Sequence, residues 1–467
     1  MLRKSHASLV FFLGYALMAV LVPCPRDFRP EERAALSFGT GVVLLTLWML
    51  ALTWGGKPFN LALILEPLLA LAAALLLTPR GRAALGADWR ARPSGLFCPL
   101  QGWDWLPVGL LAGFFLFGVL RAGLYPVWAW DAIAIWGCKA KVFYLTRGVD
   151  LTCIDAHNYY PNLVPLLLSY LYFCLGTVND HLAMLVFPLW GALLLTLLYS
   201  FAVRLGLTRR QALGLTTFFA LNGTVFIVHL YIAYADLALT CFALGAAGLT
   251  YLWLKDAAPR GSLAMIACCL AGLAWCKYEG PPLAATVLLA AALTLLWLRP
   301  PGMLRRLVQL TVPLAGLAVG YYPWRLFALH QNLEIGADHI QSFYPNQLLK
   351  AAFSLLQGLV DPFYFGFLWP AALLALILSG RRLWRTPRLF PALFLGGNLL
   401  AIILAYSLAP TAPQEFPLYV RATLDRLVLH LAPVAALLLA SALKDLGPEP
   451  LEQPTPPRPQ MAAPHPG

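Results

Sequence analysis

Thirteen apolar stretches, most of them near the length needed to cross a bilayer, restrict the folds open to this chain more than any other feature. A hydrocarbon core about 30 Å thick takes roughly 17 to 25 apolar residues per helix. Candidate spans run 8–23, 37–54, 61–78, 105–124, 182–203, 211–229, 237–254, 262–276, 281–298, 307–329, 363–379, 390–408 and 427–443. Irregular backbone and open sheet edges are not tolerated against lipid. The expected fold is therefore all-α, a polytopic transmembrane helical protein with about thirteen spans. Composition agrees: of 467 residues 60% are hydrophobic and 12% charged, against about 25% charged in soluble proteins. The cysteines show no C-x-x-C pair and the histidines no H-x-x-x-H spacing, so neither a zinc framework nor a disulfide scaffold is indicated.

A net charge of +12 would suggest nucleic acid in a soluble chain, but here the charges are sorted by loop and no nucleic acid is expected. Connections holding Arg80, Arg82, Arg90 and Arg92; Arg204, Arg209 and Arg210; Lys255 and Arg260; Arg299, Arg305 and Arg306; and Arg381, Arg382, Arg385 and Arg388 oppose only Asp88, Asp104 and Asp256. The intervening connections, 125–181, 229–236, 277–280, 330–362 and 409–426, carry more acids than bases. The positive-inside rule places the first set in the cytoplasm. The alternation closes only if the short run 162–176, with Pro161 and Pro165 at its start, does not cross. It is expected to be re-entrant or interfacial and to line a cavity. Residues 1–104 then form a three-span N-terminal accessory region with a cytoplasmic loop, and 105–443 form the transmembrane core. Residues 444–467 form a proline-rich disordered cytoplasmic tail. Arginine far outnumbers lysine, as in GC-rich genomes, and the expected location is a bacterial inner membrane.

Under this topology the unusual polar residues collect on the non-cytoplasmic side. Residues 125–144 read Tyr-Pro-Val-Trp-Ala-Trp-Asp131-Ala-Ile-Ala-Ile-Trp136-Gly-Cys-Lys139-Ala-Lys141-Val-Phe-Tyr. At about 100° per residue, Ile133, Trp136, Ala140, Phe143 and Tyr144 share one face, whereas Asp131, Lys139 and Lys141 point away, the pattern of an interfacial helix. Asp155-Ala-His157-Asn-Tyr-Tyr160-Pro161, Tyr234-Ala-Asp236 and Lys277-Tyr-Glu279-Gly280 each put charge beside an apolar boundary. Arg426 and His430 are four apart and share a helix face, placed to meet an anion at headgroup depth. Plainer readings stand beside these: Asp236 as a helix cap, Lys277 and Glu279 as solvated turn residues, His157 and His430 as interfacial histidines, and Lys139, Lys141 and Arg421 as headgroup anchors.

In the order and common side of these motifs, residues 105–443 resemble the C-type multispanning glycosyltransferases that use polyprenyl-phosphate sugars, the superfamily of protein mannosyltransferases and lipid A aminoarabinose transferase. Trp130-Asp131-Ala matches their acid in the first outer loop, Tyr160-Pro161 their tyrosine-proline stretch, Tyr234-Ala-Asp236-Leu their second outer acid, and Lys277-Tyr-Glu279-Gly280 the turn of bacterial members. Two departures are that Ala132 stands where the mannosyltransferases show an adjacent acid, and that three spans precede the matched core. The resemblance implies a polyprenyl-phosphate sugar donor, a glycolipid, polysaccharide or protein acceptor, and inversion at the sugar carbon. Transfer asks for a base on the acceptor hydroxyl and positive charge where the phosphate leaves. Asp131 is the expected base, and Arg426 the phosphate ligand, with Lys277 and His430 as further candidates. Asp236 is expected to position the acceptor or to hold a divalent metal ion with Asp131; Glu279 and His157 complete the candidate set. Loop 330–362, with Glu334, Asp338 and His339, is expected to recognise the acceptor.

Two other classes remain open on the sequence alone. A lipid or sugar transporter would carry ionisable groups at several depths, yet only Glu66 lies near the centre of a span. A non-catalytic assembly subunit would use the same polar residues for docking.

Overall fold

The computed structural model describes residues 9–89, 100, 102–154, 156–333, 343–408 and 415–446. Asp155, the loop residues Glu334, Asp338 and His339, and the tail from Gly447 lie outside the described residues. Among those described every regular element is a helix and none is a strand.

Six helices are long and apolar enough to cross a membrane: Pro30–Trp54, Gly102–Leu124, Asp180–Arg204, Asp236–Leu254, Gly280–Leu298 and Leu389–Leu408. Two bent pairs also qualify, Leu61–Leu77 with Pro79–Gly86 at 81° and Phe416–Leu429 with Ala432–Asp445 at 47°. Other expected spans are helical but shorter or interrupted. Leu9–Leu21 and Ser262–Cys276 are short apolar helices, and 307–329 and 363–379 fall on Thr311–His330 and Leu368–Arg385. Stretch 211–229 breaks into Arg209–Leu221 and Val225–His229. The break has a local cause. Gly223 takes φ +101° against the Tyr364 carbonyl, where a side chain has no room, and Thr224 N–H and Asn222 Oδ1 bond the backbone at Phe363 and Phe367, each at 2.9 Å.

Lipid is as apolar as leucine, so helices here associate through close packing and interhelical hydrogen bonds rather than exclusion from water. Gly316 and Gly320, one turn apart, press on the backbone of Ala267 and Ala271, so Thr311–His330 lies tight along Ser262–Cys276. The Asp236–Leu254 helix is almost wholly buried. The N-terminal region packs directly on this body: buried Glu32 accepts from Ser200 Oγ at 2.7 Å and from Arg204 Nη2 at 2.7 Å, and Trp275 Nε1 donates to Thr46 Oγ1 at 2.8 Å.

Run 162–176 becomes the helix Leu163–Leu175, buried along most of its length. Its 13 residues reach about 20 Å, well short of a hydrocarbon core.

Candidate functional site

Helix direction brings the distant motifs together. Asp236 and Gly280 begin two helices, Cys276 ends a third between them, and Arg426 lies in the last turn of Phe416–Leu429. All of these ends meet at one end of the bundle, with Asp131 beside them. Arg426 is the centre: its Nη1 lies 2.6 Å from Asp131 Oδ2, its Nε and Nη2 each 3.2 Å from Asp236 Oδ2, and its guanidinium carbon sits 4.4 Å over the Tyr234 ring. The other Asp236 oxygen is held by Lys277 Nζ at 2.9 Å and His430 Nε2 at 3.1 Å. Lys277 also pairs with Glu279 at 2.8 Å. Six of the seven sequence candidates therefore form one connected network.

The two aspartates differ in access. The Asp236 side chain has no exposure, whereas that of Asp131 is 20% exposed. Asp236, with both oxygens engaged by cationic partners, works as the fixed counter-charge that orients Arg426, Lys277 and His430. It is not the helix cap: Ala235 holds the N-cap position and Asp236 is the first helical residue. Lys277 and Glu279 are not solvated turn residues either: Lys277 is buried and Glu279 partly so. Burial opposes the charge of Lys277, but Asp236 and Glu279 outweigh it and hold its pKa above the ordinary value. Burial likewise opposes the Glu279 carboxylate, and the Lys277 ammonium outweighs it, so its pKa lies below the usual range. Both stay ionised.

The segment after Asp131 departs from the simple helical wheel. Ala132–Gly137 forms a π-helical turn before Cys138–Thr146 continues as α-helix. Each π turn takes more residues than an α turn, which shifts the phase of the helix beyond it. Trp136, Ala140 and Phe143 are buried as expected, Ile133 is exposed, and Lys139 rotates into the protein with no exposure. It is thus not a headgroup anchor; its Nζ donates to the His157 carbonyl at 2.7 Å. Burial pushes its pKa down to about 7. Lys141 pairs with Asp180 at 2.7 Å.

A cavity of about 420 Å³ opens on this network. Asp131, His157, Tyr160, Lys277, Glu279, Arg426 and His430 line its polar part, and Leu283, Ala401, Ile402, Ala405, Ala422 and Leu427 line an apolar remainder. His157 joins through the wall rather than the ion network: its ring stacks on Tyr160 at 5.0 Å between centroids and its Nδ1 lies 3.2 Å from the Tyr159 hydroxyl. Burial and then the nearby Glu279 charge raise the Tyr160 phenol well above its ordinary pKa, keeping it a donor. Glu279 Oε2, buried, has no hydrogen-bond partner. Asn398, Tyr406, Thr423 and Tyr278 also line the cavity and were not evident in the sequence. Asn398 alone had a signal, as a polar side chain inside an apolar run; it bonds Thr286 at 2.9 Å.

A divalent metal shared by Asp131 and Asp236 does not fit this arrangement. Arg426 lies between the two carboxylates and bonds both, so an ion there would have to displace the guanidinium. Among the described residues no group of three or more potential metal ligands occurs.

No protein-family model matches the sequence, and no curated protein matches it. Two solved structures match the fold. They are crystal structures of ArnT from Cupriavidus metallidurans, one in the apo state and one bound to undecaprenyl phosphate. Each superposes with a TM-score of 0.54; identities are 16% and 15%. The matches cover 73% and 74% of this chain but 60% and 61% of ArnT, so the chain spans less than two thirds of the length of its structural neighbour. Over the matched part, this chain shares the all-helical membrane fold of ArnT.

Proposed function

We propose that this chain is an integral-membrane glycosyltransferase that moves a sugar from a polyprenyl-phosphate donor to an acceptor on the non-cytoplasmic face, with inversion. The observation that carries the reading is the position of Arg426, bonded to one accessible and one inaccessible aspartate at the polar end of an otherwise apolar cavity. An isoprenoid phosphate has this division of polarity. The fold shared with ArnT, one of whose structures holds undecaprenyl phosphate, supports the same class of donor. The loop charges support a bacterial inner membrane with the cavity facing outward.

In the proposed cycle the donor phosphate takes the place of Asp131 on Arg426, whose planar fork suits phosphate. Asp236 keeps the guanidinium aimed, while Lys277 and His430 supply further positive charge or donors. The freed Asp131 carboxylate accepts the proton of the acceptor hydroxyl. That oxygen attacks the anomeric carbon opposite the phosphate, and the bond from carbon to phosphate oxygen breaks with its electron pair passing to the phosphate. Arg426 and Lys277 stabilise the charge that develops there. Glu279 Oε2, His157 and the Tyr160 hydroxyl are placed to hold sugar or acceptor hydroxyls.

The test is transfer by the purified full chain from labelled polyprenyl-phosphate sugars to a panel of glycolipid, polysaccharide and protein acceptors. Asp131→Asn should lower turnover by about 10² to 10⁴ while the protein stays folded. Turnover unchanged in that variant removes Asp131 as the base.

A further inference from the structure

A second cavity, about 650 Å³, lies at the other end of the bundle. The helices Asp236–Leu254 and Gly280–Leu298 start at the ion network and end at this cavity; their 19 residues span about 28 Å. Lys255, Arg306, Arg382, Arg385 and Arg388 line it against only Asp256 and Asp445, an excess of three positive charges. Both acids are already engaged: Asp256 with Arg306 at 2.6 Å, and Asp445 with Arg388 at 2.7 Å and Arg382 at 2.9 Å. Arg388 is further fixed by donating to the Ser441 carbonyl at 2.7 Å. Lys255 and Arg385 have no carboxylate within ion-pair distance among the described residues.

Basic residues at helix C-termini on the cytoplasmic side are expected from the helix dipole and the inside-positive bias. Neither explains why five of them border one concavity with two cations left over. Burial, and then repulsion from Arg388 and Lys444, outweighs the attraction of Asp445 and pushes the Lys255 pKa down to about 8, so the lysine would gain from a further counter-charge. The surroundings suggest where one comes from. Trp297 and Trp384, both exposed, lie with ring centroids 5.8 Å apart and planes tilted by 54°, each next in sequence to a lining residue, and Leu304 and Val308 of the neighbouring short helix are also exposed. Tryptophan pairs of this kind mark headgroup depth, and the exposed leucine and valine offer a surface for acyl chains.

We propose that this cavity binds the phosphodiester headgroup of an anionic phospholipid, with Lys255 and Arg385 as its ligands and Arg306, Arg382 and Arg388 as the surrounding wall. Basic pockets between transmembrane helices are the usual form of such sites. The site is separate from the ion network, and the proposal does not depend on the transferase reading.

The experiment is native mass spectrometry of the full-length protein carried in nanodiscs of phosphatidylcholine with added phosphatidylglycerol, in the wild type and in a Lys255→Gln/Arg385→Gln variant. The expected result is phosphatidylglycerol retained on the wild type and about thirtyfold weaker retention in the variant, from two surface charges. A single Arg385→Gln variant, at an exposed position, should show a smaller loss and guards against misfolding of the double variant. Equal retention by wild type and variants, or no preference over phosphatidylcholine, overturns the site. Protection by millimolar inorganic phosphate or pyrophosphate, with the same dependence on the two residues but none by phosphatidylglycerol, overturns the lipid as its source.

Discussion

Replacing the proposed base should tighten donor binding while slowing transfer. Asp131 sits 2.6 Å from the Arg426 nitrogen that the donor phosphate is proposed to claim, so carboxylate and phosphate compete for one guanidinium. Two like charges about 4 Å apart repel by roughly 4 kcal/mol at an effective dielectric of 20. Two effects reduce this figure. The Asp131 side chain is 20% exposed and screened by cavity water, and asparagine keeps one oxygen that accepts from Arg426. What remains is about 1.5 to 3 kcal/mol, the usual value of a charged hydrogen bond, or about 10- to 150-fold in affinity. Titrating labelled undecaprenyl phosphate against detergent-purified wild type and Asp131→Asn measures it without any knowledge of the acceptor. Weaker binding by Asp131→Asn means that the aspartate holds Arg426 ready instead of competing for it, and the exchange of partners is then wrong.

The geometry sets three further outcomes. Asp236→Asn removes the shared partner of Arg426, Lys277 and His430, and breaking a buried ionic network of this kind costs about 3 to 5 kcal/mol; a melting temperature equal to the wild type contradicts its role as counter-charge. Lys139, held neutral by burial with a pKa near 7, takes up its proton on unfolding, so the unfolded chain binds more protons between pH 7 and the ordinary lysine value. Lys139 should therefore add a rise of stability with pH through that window, and the slope should be smaller in Lys139→Met than in the wild type, as read from denaturation at pH 6.5 to 9.5. Gly280→Ala puts a methyl into the Leu273 carbonyl; because Glu279 and Lys277 immediately precede this contact, donor binding should fall along with stability, whereas a fully active variant shows the contact to be slack.

The residues that bond Arg426 were legible because charge at the edge of an apolar run needs a reason. Asp131, Asp236, Lys277 and Arg426 all stood out on that ground, and the sorting of loop charge suggested that they could meet. The pairing itself was not legible, since Asp131 and Arg426 are 295 residues apart and no local pattern encodes which cation faces which acid. Lys139 shows a different limit. A uniform 100° per residue places it outward, and only the π turn at Ala132–Gly137 turns it inward. Tyr278, Tyr406 and Thr423 gave no signal, because aromatic and hydroxyl side chains at helical spacing look the same in a core as in a cavity wall. The interruption at Gly223 was hidden within an apolar stretch and depends on packing against residues 363–367.

The separation between Asp131 and Arg426 also bears on how the molecule is made. Synthesis delivers both aspartates, Lys277 and Glu279 well before Arg426, so a growing chain must place helices whose mouths carry unbalanced acids. Until the arginine emerges, the earlier helices hold an anionic opening that only water or lipid headgroups can satisfy. Closure of that opening is then a late event in biogenesis, and an intermediate halted before residue 426 should be recognisable to membrane quality control by its bare carboxylates.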